Sequence, residues 1–165
     1  MLEAKVVCNK NFITGEIDPR LFGSFAEHMG RVIYSGIYEP QNCCSDEHGF
    51  RKDVLHTVKE MGVTAVRYPG GNFVSAYHWE DGVGPKECRP RRLELAWKSI
   101  ETNEFGTNEF MQWARIAGVI PILTVNLGTR GIDEAVQYLE YCNFPEGTKY
   151  SELRKSHGIE QPYGV

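Results

Sequence analysis

The chain has 165 residues, of which 41% are hydrophobic and 12% aromatic, a composition typical of a globular rather than a disordered protein. Its formal net charge is −4 and its Lys and Arg residues are scattered, which argues against nucleic acid or an anionic membrane surface as a partner. No apolar run approaches the roughly 20 residues that span a bilayer. The start, MLEAKVVCNKNF, lacks the long apolar segment of a signal peptide, so we expect a cytoplasmic protein.

The cysteines and histidines do not form a metal-binding pattern. The five cysteines are odd in number and have no CxxC spacing, and the five histidines include no HExxH sequence. We therefore expect reduced thiols and no metal site. The cysteines are Cys8, Cys43, Cys44, Cys88 and Cys142.

The first elements are predicted to be β-structure. Residues 4–18 place apolar side chains on both sides of an Asn-Lys-Asn turn, which predicts a short hairpin. The apolar stretch LFGSFAEHM (21–29) is compatible with a buried strand whose end carries Glu27 and His28. Residues 30–49 are rich in Gly, Pro and Asn and are predicted to be a loop.

Three segments have the apolar spacing of amphipathic helices. They are 50–62, ended by Gly62; 106–118, capped by Thr107 or Asn108 and ended by Gly118; and 131–144, capped by Asp133. The last helix is predicted to bury Ala135, Val136, Leu139 and Cys142. Predicted strands follow the first two helices at 63–69 and 119–129, and the final GIEQPYGV is interpreted as the approach to another strand.

The order strand, loop, helix occurs three times, which indicates an α/β fold with a parallel sheet covered by helices. The long loops, 30–49 and 70–105, follow strands, whereas the helix-to-strand connections are very short. Because the carboxyl ends of parallel strands carry the site in barrels and in open sheets, functional residues are expected at Glu27, after Arg67 and after Val125.

Candidate residues at these strand ends each have a structural alternative. Glu27 is positioned to bind ligand hydroxyl groups, or it forms an ion pair with Arg31 or Arg67. After Arg67, the glycines Gly70 and Gly71 permit close approach of the backbone to a ligand, and the Asn72 amide offers a donor and an acceptor to a sugar hydroxyl. The alternative is that Pro-Gly-Gly-Asn only forms a tight turn.

Aromatic residues and a second Asn extend this candidate site. Tyr77, His78, Trp79 and Trp97 offer flat faces for sugar rings, or they anchor the long loop internally. Asn126 follows its strand as Asn72 does, and it either lines the site or stabilises the turn LGTRG. No GxGxxG or Gly-Lys-Ser/Thr sequence is present, so a phosphate-binding loop is excluded.

Four segments together resemble the amino-terminal part of glycoside hydrolase family 51, whose members are mainly intracellular α-L-arabinofuranosidases. The segments are GSFAEHMGRVIYSGIYEP, VRYPGGNFVSAYHWEDGVGP, LAWKSIETNEFGTNEFMQWA and TVNLGT. The resemblance implies a (β/α)8 barrel joined to a β-sandwich, with residues 1–18 contributing a β segment to the sandwich. Residues 19–165 then form the first three to four β/α units of the barrel.

The resemblance also implies an activity and roles for individual residues. The activity is retaining hydrolysis of terminal arabinofuranosyl groups from arabinan, arabinoxylan and related oligosaccharides, with water as acceptor and no cofactor. Glu27 and Asn72 correspond to residues that hydrogen-bond the arabinofuranose, Arg67 organises the site, and Trp97 forms a wall of the pocket. Gly71 is included as the position where the backbone approaches the sugar.

The two catalytic carboxylates are expected beyond Val165. Retaining hydrolysis needs two carboxyl groups roughly 5–5.5 Å apart, and the family acid/base is the Glu of a Gly-Asn-Glu sequence at the fourth strand. The Asn-Glu pairs at 103–104 and 108–109 belong to the second helix and its approach, so no catalytic role is assigned to them. An eight-unit barrel takes roughly 250 residues, and the isolated chain is therefore expected to be inactive.

The rest of the barrel is expected from a second polypeptide or a cleaved remainder, or else the chain is a truncated gene product. The intact enzyme is expected to be a homo-oligomer. Two alternatives remain open. One is a non-catalytic carbohydrate-binding or split-barrel protein, and the other is an endo-glucanase on the same scaffold.

Overall fold

A computed structural model of the protein describes residues 2–165. In chain order the strands and helices are β1 (Ser24–Phe25), α1 (Lys52–Glu60), β2 (Ala65–Tyr68), β3 (Arg92–Leu93), β4 (Ile100–Glu101), α2 (Thr107–Ala117), β5 (Ile120–Leu123), α3 (Ile132–Asn143) and α4 (Lys149–Ser156). A bilayer-spanning helix is not found among these elements, the longest of which, α3, has 12 residues.

Strands β1, β2 and β5 form a parallel sheet in that order. Helix α1 connects β1 to β2, and α2 connects β2 to β5. Parallel neighbours require such crossovers, because a tight turn only joins antiparallel strands. The predicted α/β fold with a parallel sheet is therefore confirmed.

One face of the sheet carries the main core. Val66 and Tyr68 of β2 pack with Leu55 of α1 and with Phe110 and Trp113 of α2. The rings of Tyr68 and Phe110 stack with centroids 4.4 Å apart. Each large apolar side chain buried in this way contributes about 1.5–3 kcal/mol, so this layer supplies much of the driving force for folding.

The other face of the sheet is open in this chain. Phe25, Arg67 and Ile122 are aligned across the three strands, and all three side chains are exposed. Side chains alternate between the two faces of a strand, so the row next to the buried residues necessarily points away from the helices. This open face includes the strand ends at which the candidate site residues lie.

The helices begin at positions other than those predicted. At the start of α2, the N-cap is Gly106, whose N–H binds the Glu109 carboxylate at 2.8 Å, and not Thr107 or Asn108. Thr107 instead contacts the Tyr138 hydroxyl at 2.8 Å. Helix α3 follows Gly131, so Asp133 lies within the first turn and is not the cap. The prediction that Gly118 ends α2 is confirmed by its left-handed conformation, φ 75°.

Helix α3 buries a different stripe from the predicted one. Val136 and Leu139 are 55% and 51% exposed, whereas Tyr138 and Tyr141 are buried with Cys142. The helix is oriented by Trp79, whose ring lies 5.0 Å from that of Tyr138. The prediction for Val136 and Leu139 was wrong because both are apolar residues on the side of α3 that Trp79 does not cover.

The chain outside the sheet and its helices also departs from prediction. The hairpin predicted over 4–18 is not formed: the structure shows a single turn there, with the Phe12 N–H donating to the Asn9 carbonyl at 2.9 Å, and exposed apolar side chains. A two-stranded hairpin has too little to bury to be stable without a covering surface. The final segment, interpreted as the approach to another strand, lies along α3, where the Tyr163 N–H donates to the Cys142 carbonyl at 2.7 Å; that a strand follows it stays a prediction.

Two elements were not predicted from the sequence. The β3–β4 hairpin lies inside the long loop 70–105, and α4 is a short polar helix. Arg154 of α4 is fully buried and donates to the carbonyls of Tyr141, Phe144 and Pro145. Tyr150 and Leu153 of α4 also pack, half-buried, against the cluster that contains Trp79 and Tyr141, but two apolar positions give too short a pattern to predict the helix.

Candidate active site

Glu27 lies just past the carboxyl end of β1, two residues after Phe25. Backbone pairing continues past the strand, because the Ala26 N–H binds the Arg67 carbonyl at 2.8 Å and the His28 N–H binds the Pro69 carbonyl at 3.1 Å. Alternation of side chains then puts Glu27 on the same side as Phe25, and His28 on the helix-covered side. The side chains of Glu27 and His28, which are adjacent in the chain, therefore lie on opposite faces of the sheet.

The Glu27 carboxylate is held by the turn that follows β2. It accepts a hydrogen bond of 2.8 Å from the Phe73 N–H, and no ion pair among residues 2–165 includes Glu27. Its side chain packs on Gly70, where φ is 132° and where an added Cβ would lie 2.2 Å from Glu27 Cγ. The alternative of a pair with Arg31 or Arg67 is not observed; the Arg31 Nε donates to Ser35 instead.

Gly71 and Asn72 lie in the turn that holds the Glu27 carboxylate, and Arg67 lies just before it, near the end of β2. A Cβ on Gly71 would lie 3.6 Å from the Arg67 guanidinium, which also lies 5.3 Å from the Phe25 ring centre. Asn72 is exposed and begins the turn Phe73–Ala76 without a side-chain capping bond. A carboxylate, a guanidinium, a glycine and a free amide thus converge, which is a suitable set for recognising sugar hydroxyl groups.

Trp97 lies apart from this turn, at the tip of the β3–β4 hairpin. The buried Glu94 carboxylate accepts the N–H groups of Ala96 and Trp97, each at 2.6 Å. Trp97 lines a cleft of about 240 Å³ with residues that include His28 and Glu101. The candidate residues Glu27, Arg67, Gly71 and Asn72 do not line this cleft. The role of Trp97 as a wall of the sugar pocket therefore stays a prediction.

A buried polar cluster lies between the turn at Asn72 and the β3–β4 hairpin that carries Trp97. The sequence analysis did not predict it. His28 Nδ1 lies 2.8 Å from Glu101 Oε2, and His28 Nε2 lies 2.7 Å from the Tyr68 hydroxyl. Glu101 also accepts hydrogen bonds from the Tyr34 hydroxyl and from the Asn103 N–H, the latter at 2.7 Å. Only the position of His28 at a strand end signalled this cluster, because Glu101 is 73 residues away in the sequence.

The electrostatics of this cluster favour an ionised Glu101. Burial alone would raise the pKa of the Glu101 carboxyl, but the hydrogen bonds and charge from His28, together with the Tyr34 hydroxyl, lower it below its ordinary value. Burial also raises the pKa of the Tyr34 and Tyr68 hydroxyls, so both stay neutral donors. The cluster is a satisfied network centred on one carboxylate.

Two of the other aromatic candidates anchor the loop internally. Trp79 is buried against Tyr138 and Tyr141, so its face is closed to a sugar. Tyr77 donates to Asn103 at 3.2 Å and packs on Phe73, with ring centroids 4.6 Å apart. A ring nitrogen of His78 contacts Arg130 at 2.7 Å. Trp79 and Tyr77 therefore anchor the loop as the structural alternative expects, whereas His78 has an exposed contact with Arg130, which follows β5.

Asn126 and the Asn-Glu pairs have structural contacts. The Asn126 carbonyl oxygen accepts the N–H groups of Gly128 and Thr129, each at 3.0 Å, and its amide donates to the Tyr77 carbonyl at 2.9 Å. Glu109, in the first turn of α2, forms an ion pair with Arg89 of the loop that follows β2. Asn126 therefore stabilises its turn, and the pair at 108–109 lies in the second helix as predicted.

Comparison with known proteins identifies the family. The family model for the "Alpha-L-arabinofuranosidase 1 domain" matches residues 57–165. The chain is 58% identical over 165 residues to an intracellular exo-α-(1→5)-L-arabinofuranosidase of Bacillus subtilis (strain 168), covering 100% of the chain and 33% of that relative. It is 55% identical over 164 residues to an exo-α-(1→6)-L-arabinofuranosidase of Bifidobacterium longum, covering 99% of the chain and 31% of that relative.

A solved structure has a closely similar fold. A family 51 α-L-arabinofuranosidase from Bifidobacterium longum superposes with a TM-score of 0.86 at 57% identity, over 88% of this chain and 29% of that one. The chain spans about a third of the length of the curated relatives it matches. The chain belongs to the family 51 α-L-arabinofuranosidases.

Proposed function

We propose that the protein binds the terminal arabinofuranose of its substrate in an exo-acting α-L-arabinofuranosidase. The single observation that carries this proposal is the contact of Glu27 with the turn that begins at Asn72. Through this contact a carboxylate, a free amide and the Arg67 guanidinium lie together at the carboxyl end of a parallel sheet. The names of the relatives supply the sugar, since they are arabinofuranosidases.

In this proposal each residue has a defined task. One Glu27 oxygen binds the Phe73 N–H, and the carboxylate keeps acceptor capacity for a sugar hydroxyl. The Asn72 amide binds a second hydroxyl, Gly71 lets the backbone come close, and Arg67 organises the site from the end of β2, with its guanidinium beside the Phe25 ring. Trp97 closes the pocket with its ring.

The acid/base and the nucleophile belong, in this proposal, to carboxylates outside these 165 residues. A retaining mechanism needs two carboxyl groups about 5–5.5 Å apart with the sugar between them. The buried carboxylates near the mouth already have partners within the described residues. They are Glu27 with the Phe73 N–H, Glu94 with backbone N–H groups, Glu101 with His28, Glu109 with Arg89, and Glu134 with Arg130.

The open sheet supports the proposed architecture. Ile120 and Ile122 of β5 and Leu139 of α3 line an apolar cleft of about 430 Å³ beside the unpaired edge of β5. Unpaired edges and apolar faces are covered in stable proteins. We assign the cover to the rest of a (β/α)8 barrel, on this or a second polypeptide. In the same proposal residues 1–18 join a β-sandwich, and the intact enzyme is a cytoplasmic homo-oligomer that needs no cofactor.

The test uses p-nitrophenyl α-L-arabinofuranoside. We expect no turnover by the chain alone, and turnover after mixing with the segment that follows the matched third of the Bacillus subtilis relative. A β-glucan polymer, which an endo-glucanase would cleave internally, is expected to be inert. Turnover of the arabinoside by the chain alone would refute the assignment of the catalytic carboxylates.

A binding measurement tests the sugar site separately. Titration of the chain with L-arabinose is expected to show binding that Asn72→Ala abolishes and that Asn11→Ala, an exposed amide near the amino terminus, leaves unchanged. Equal affinity in both variants would remove Asn72 from the site. Binding without turnover in the mixed sample would favour a carbohydrate-binding protein over an enzyme.

A further inference from the structure

The β3–β4 hairpin has too few contacts of its own to be rigid. Its ladder consists of two residue pairs, Arg92 with Glu101 and Leu93 with Ile100. The side chains of Leu93, Leu95 and Ile100 are exposed. Because an isolated two-stranded hairpin is marginal in water, contacts with the rest of the protein must hold it in place.

Glu101 provides the buried end of this hairpin. It is the last residue of β4, it is buried, and its carboxylate binds His28, the Tyr34 hydroxyl and the Asn103 N–H. The remaining ties are at the base: an ion pair of Asp81 with the exposed Arg92, and the Asn103 amide on the Pro90 carbonyl at 2.7 Å. The Arg92 side chain of that ion pair is 56% exposed, which limits its contribution, whereas Glu101 and its partner His28 are both buried; we therefore take Glu101 as the main attachment.

His28 connects that attachment to the sugar-binding turn. Its ring stacks on Phe73 with centroids 4.5 Å apart and an interplanar angle of 14°. The N–H of the same Phe73 binds Glu27. The dipeptide Glu27-His28 therefore holds the Asn72–Phe73 segment by its backbone and its ring, while His28 also contacts the hairpin through Glu101.

We infer that His28 and Glu101 are positioning residues, which set the Trp97 hairpin against the Asn72 turn and so form the sugar pocket from two separate parts of the chain. This inference rests on the proposed function for the identity of the sugar. That His28 and Glu101 order the hairpin is a statement about the ligand-free protein and does not depend on the sugar. In this arrangement both residues are buried and act through Trp97 and Asn72.

The first experiment follows hydrogen exchange of the ligand-free chain. In the wild type, the amides of Glu94, Ala96 and Trp97 are expected to be protected, since Glu94 binds the Ser99 carbonyl at 2.8 Å and the other two bind the Glu94 carboxylate. In His28→Leu and in Glu101→Gln, we expect their exchange to accelerate by about tenfold or more, with the amides of α2 unchanged.

The matched controls are His56→Leu and Glu60→Gln, because His56 and Glu60 form an exposed pair at 3.3 Å on α1. Both controls are expected to leave the hairpin amides protected. The inference is overturned if the hairpin amides stay equally protected in a folded His28→Leu or Glu101→Gln. It is also overturned, without any variant, if the wild-type hairpin amides exchange as fast as those of residues 2–17.

The second experiment separates positioning from a general structural role. Trp97 is 38% exposed, whereas Trp79 and Trp113 are 5% and 1% exposed, so acrylamide quenching of tryptophan fluorescence reports Trp97. We expect His28→Leu to increase quenching and to weaken L-arabinose binding by the same factor as Trp97→Ala. The double variant is expected to lose no more than either single one.

Additive losses in the double variant would show that His28 acts independently of Trp97 and would overturn the inference. Should the wild-type chain bind no arabinose, the proposed function fails on this chain. The hydrogen-exchange and quenching measurements test whether His28 and Glu101 hold the hairpin, whether or not the chain binds arabinose.

Discussion

The guanidinium of Arg89 holds both carboxylate oxygens of Glu109, at 2.8 and 2.9 Å, and both side chains are largely buried. Arg89 lies in the long loop that follows β2, and Glu109 lies in the first turn of α2. The same Glu109 accepts the N–H of Gly106 at 2.8 Å, and Arg89 also donates to the Asn103 carbonyl at 2.8 Å. This pair therefore fastens the loop that carries the candidate site to the start of the helix.

Removing the Glu109 charge is expected to destabilise the fold. In Glu109→Gln, the buried Arg89 loses its counter-ion, and breaking a buried pair on one side costs about 3–5 kcal/mol. Urea unfolding followed by circular dichroism measures this loss. Glu60→Gln, which alters the exposed pair with His56, is expected to change stability by less than about 0.5 kcal/mol. Similar unfolding midpoints for the two variants would contradict the importance of the Arg89–Glu109 pair.

The two glycines of the turn are expected to respond differently to alanine. At Gly70, the positive φ and the 2.2 Å approach to Glu27 Cγ mean that Ala displaces the Glu27 side chain, at a cost of about 1–3 kcal/mol and with loss of arabinose binding. At Gly71, the nearest atom to an added Cβ is 3.6 Å away, an ordinary contact. Titration with L-arabinose checks both, and unimpaired binding by Gly70→Ala would show that Glu27 is not part of the site.

Acid is expected to weaken the protein through Glu101. The pKa of this carboxyl is lowered in the folded state because the hydrogen bonds from His28 and Tyr34 outweigh burial, which by itself would raise it. The folded protein therefore binds a proton at this site less readily than the unfolded chain. The resulting stabilisation is present above the ordinary value of 4.5 and is lost as the pH falls through the lower folded value.

The measurement is the free energy of unfolding in urea from neutral pH down into this acid range. Glu101→Gln cannot titrate, so its stability is expected to be lower at neutral pH and to decline less steeply in acid than that of the wild type. Parallel curves for the two proteins would show that Glu101 contributes nothing to the acid response.

The thiols are expected to divide into four reactive groups and one protected group. Cys8, Cys43, Cys44 and Cys88 are exposed, whereas Cys142 is buried in α3 and burial raises its pKa to about 12. Since the thiolate is the nucleophile, Cys142 is expected to react with a maleimide only after unfolding. Mass spectrometry of the native protein should find four adducts, and Cys142→Ala should give the same four. A fifth adduct formed at the same rate would contradict the burial of Cys142.

Much of the candidate site was predictable because its residues follow strand ends. Glu27, Arg67, Gly71 and Asn72 occur at or just after the ends of β1 and β2, and adjacent parallel strands bring their carboxyl ends together. Trp97 was different, since it lies in a loop whose course the sequence pattern does not describe. The partnership of His28 with Glu101 was also not predictable, because no local rule relates residues 73 positions apart.

Local order along the chain was determined by the sequence alone. The apolar spacing of α1, α2 and α3, the glycine that ends α2 and the alternation of strands with helices depend on residues within a few positions of one another, so they can be inferred without a structure. Tertiary contacts decided the rest. Trp79 selected Tyr138 and Tyr141 rather than Val136 and Leu139 as the buried face of α3, and the absence of a covering surface left residues 4–18 unpaired. Burial depends on which distant surface arrives to exclude water, and that information is held by the fold as a whole.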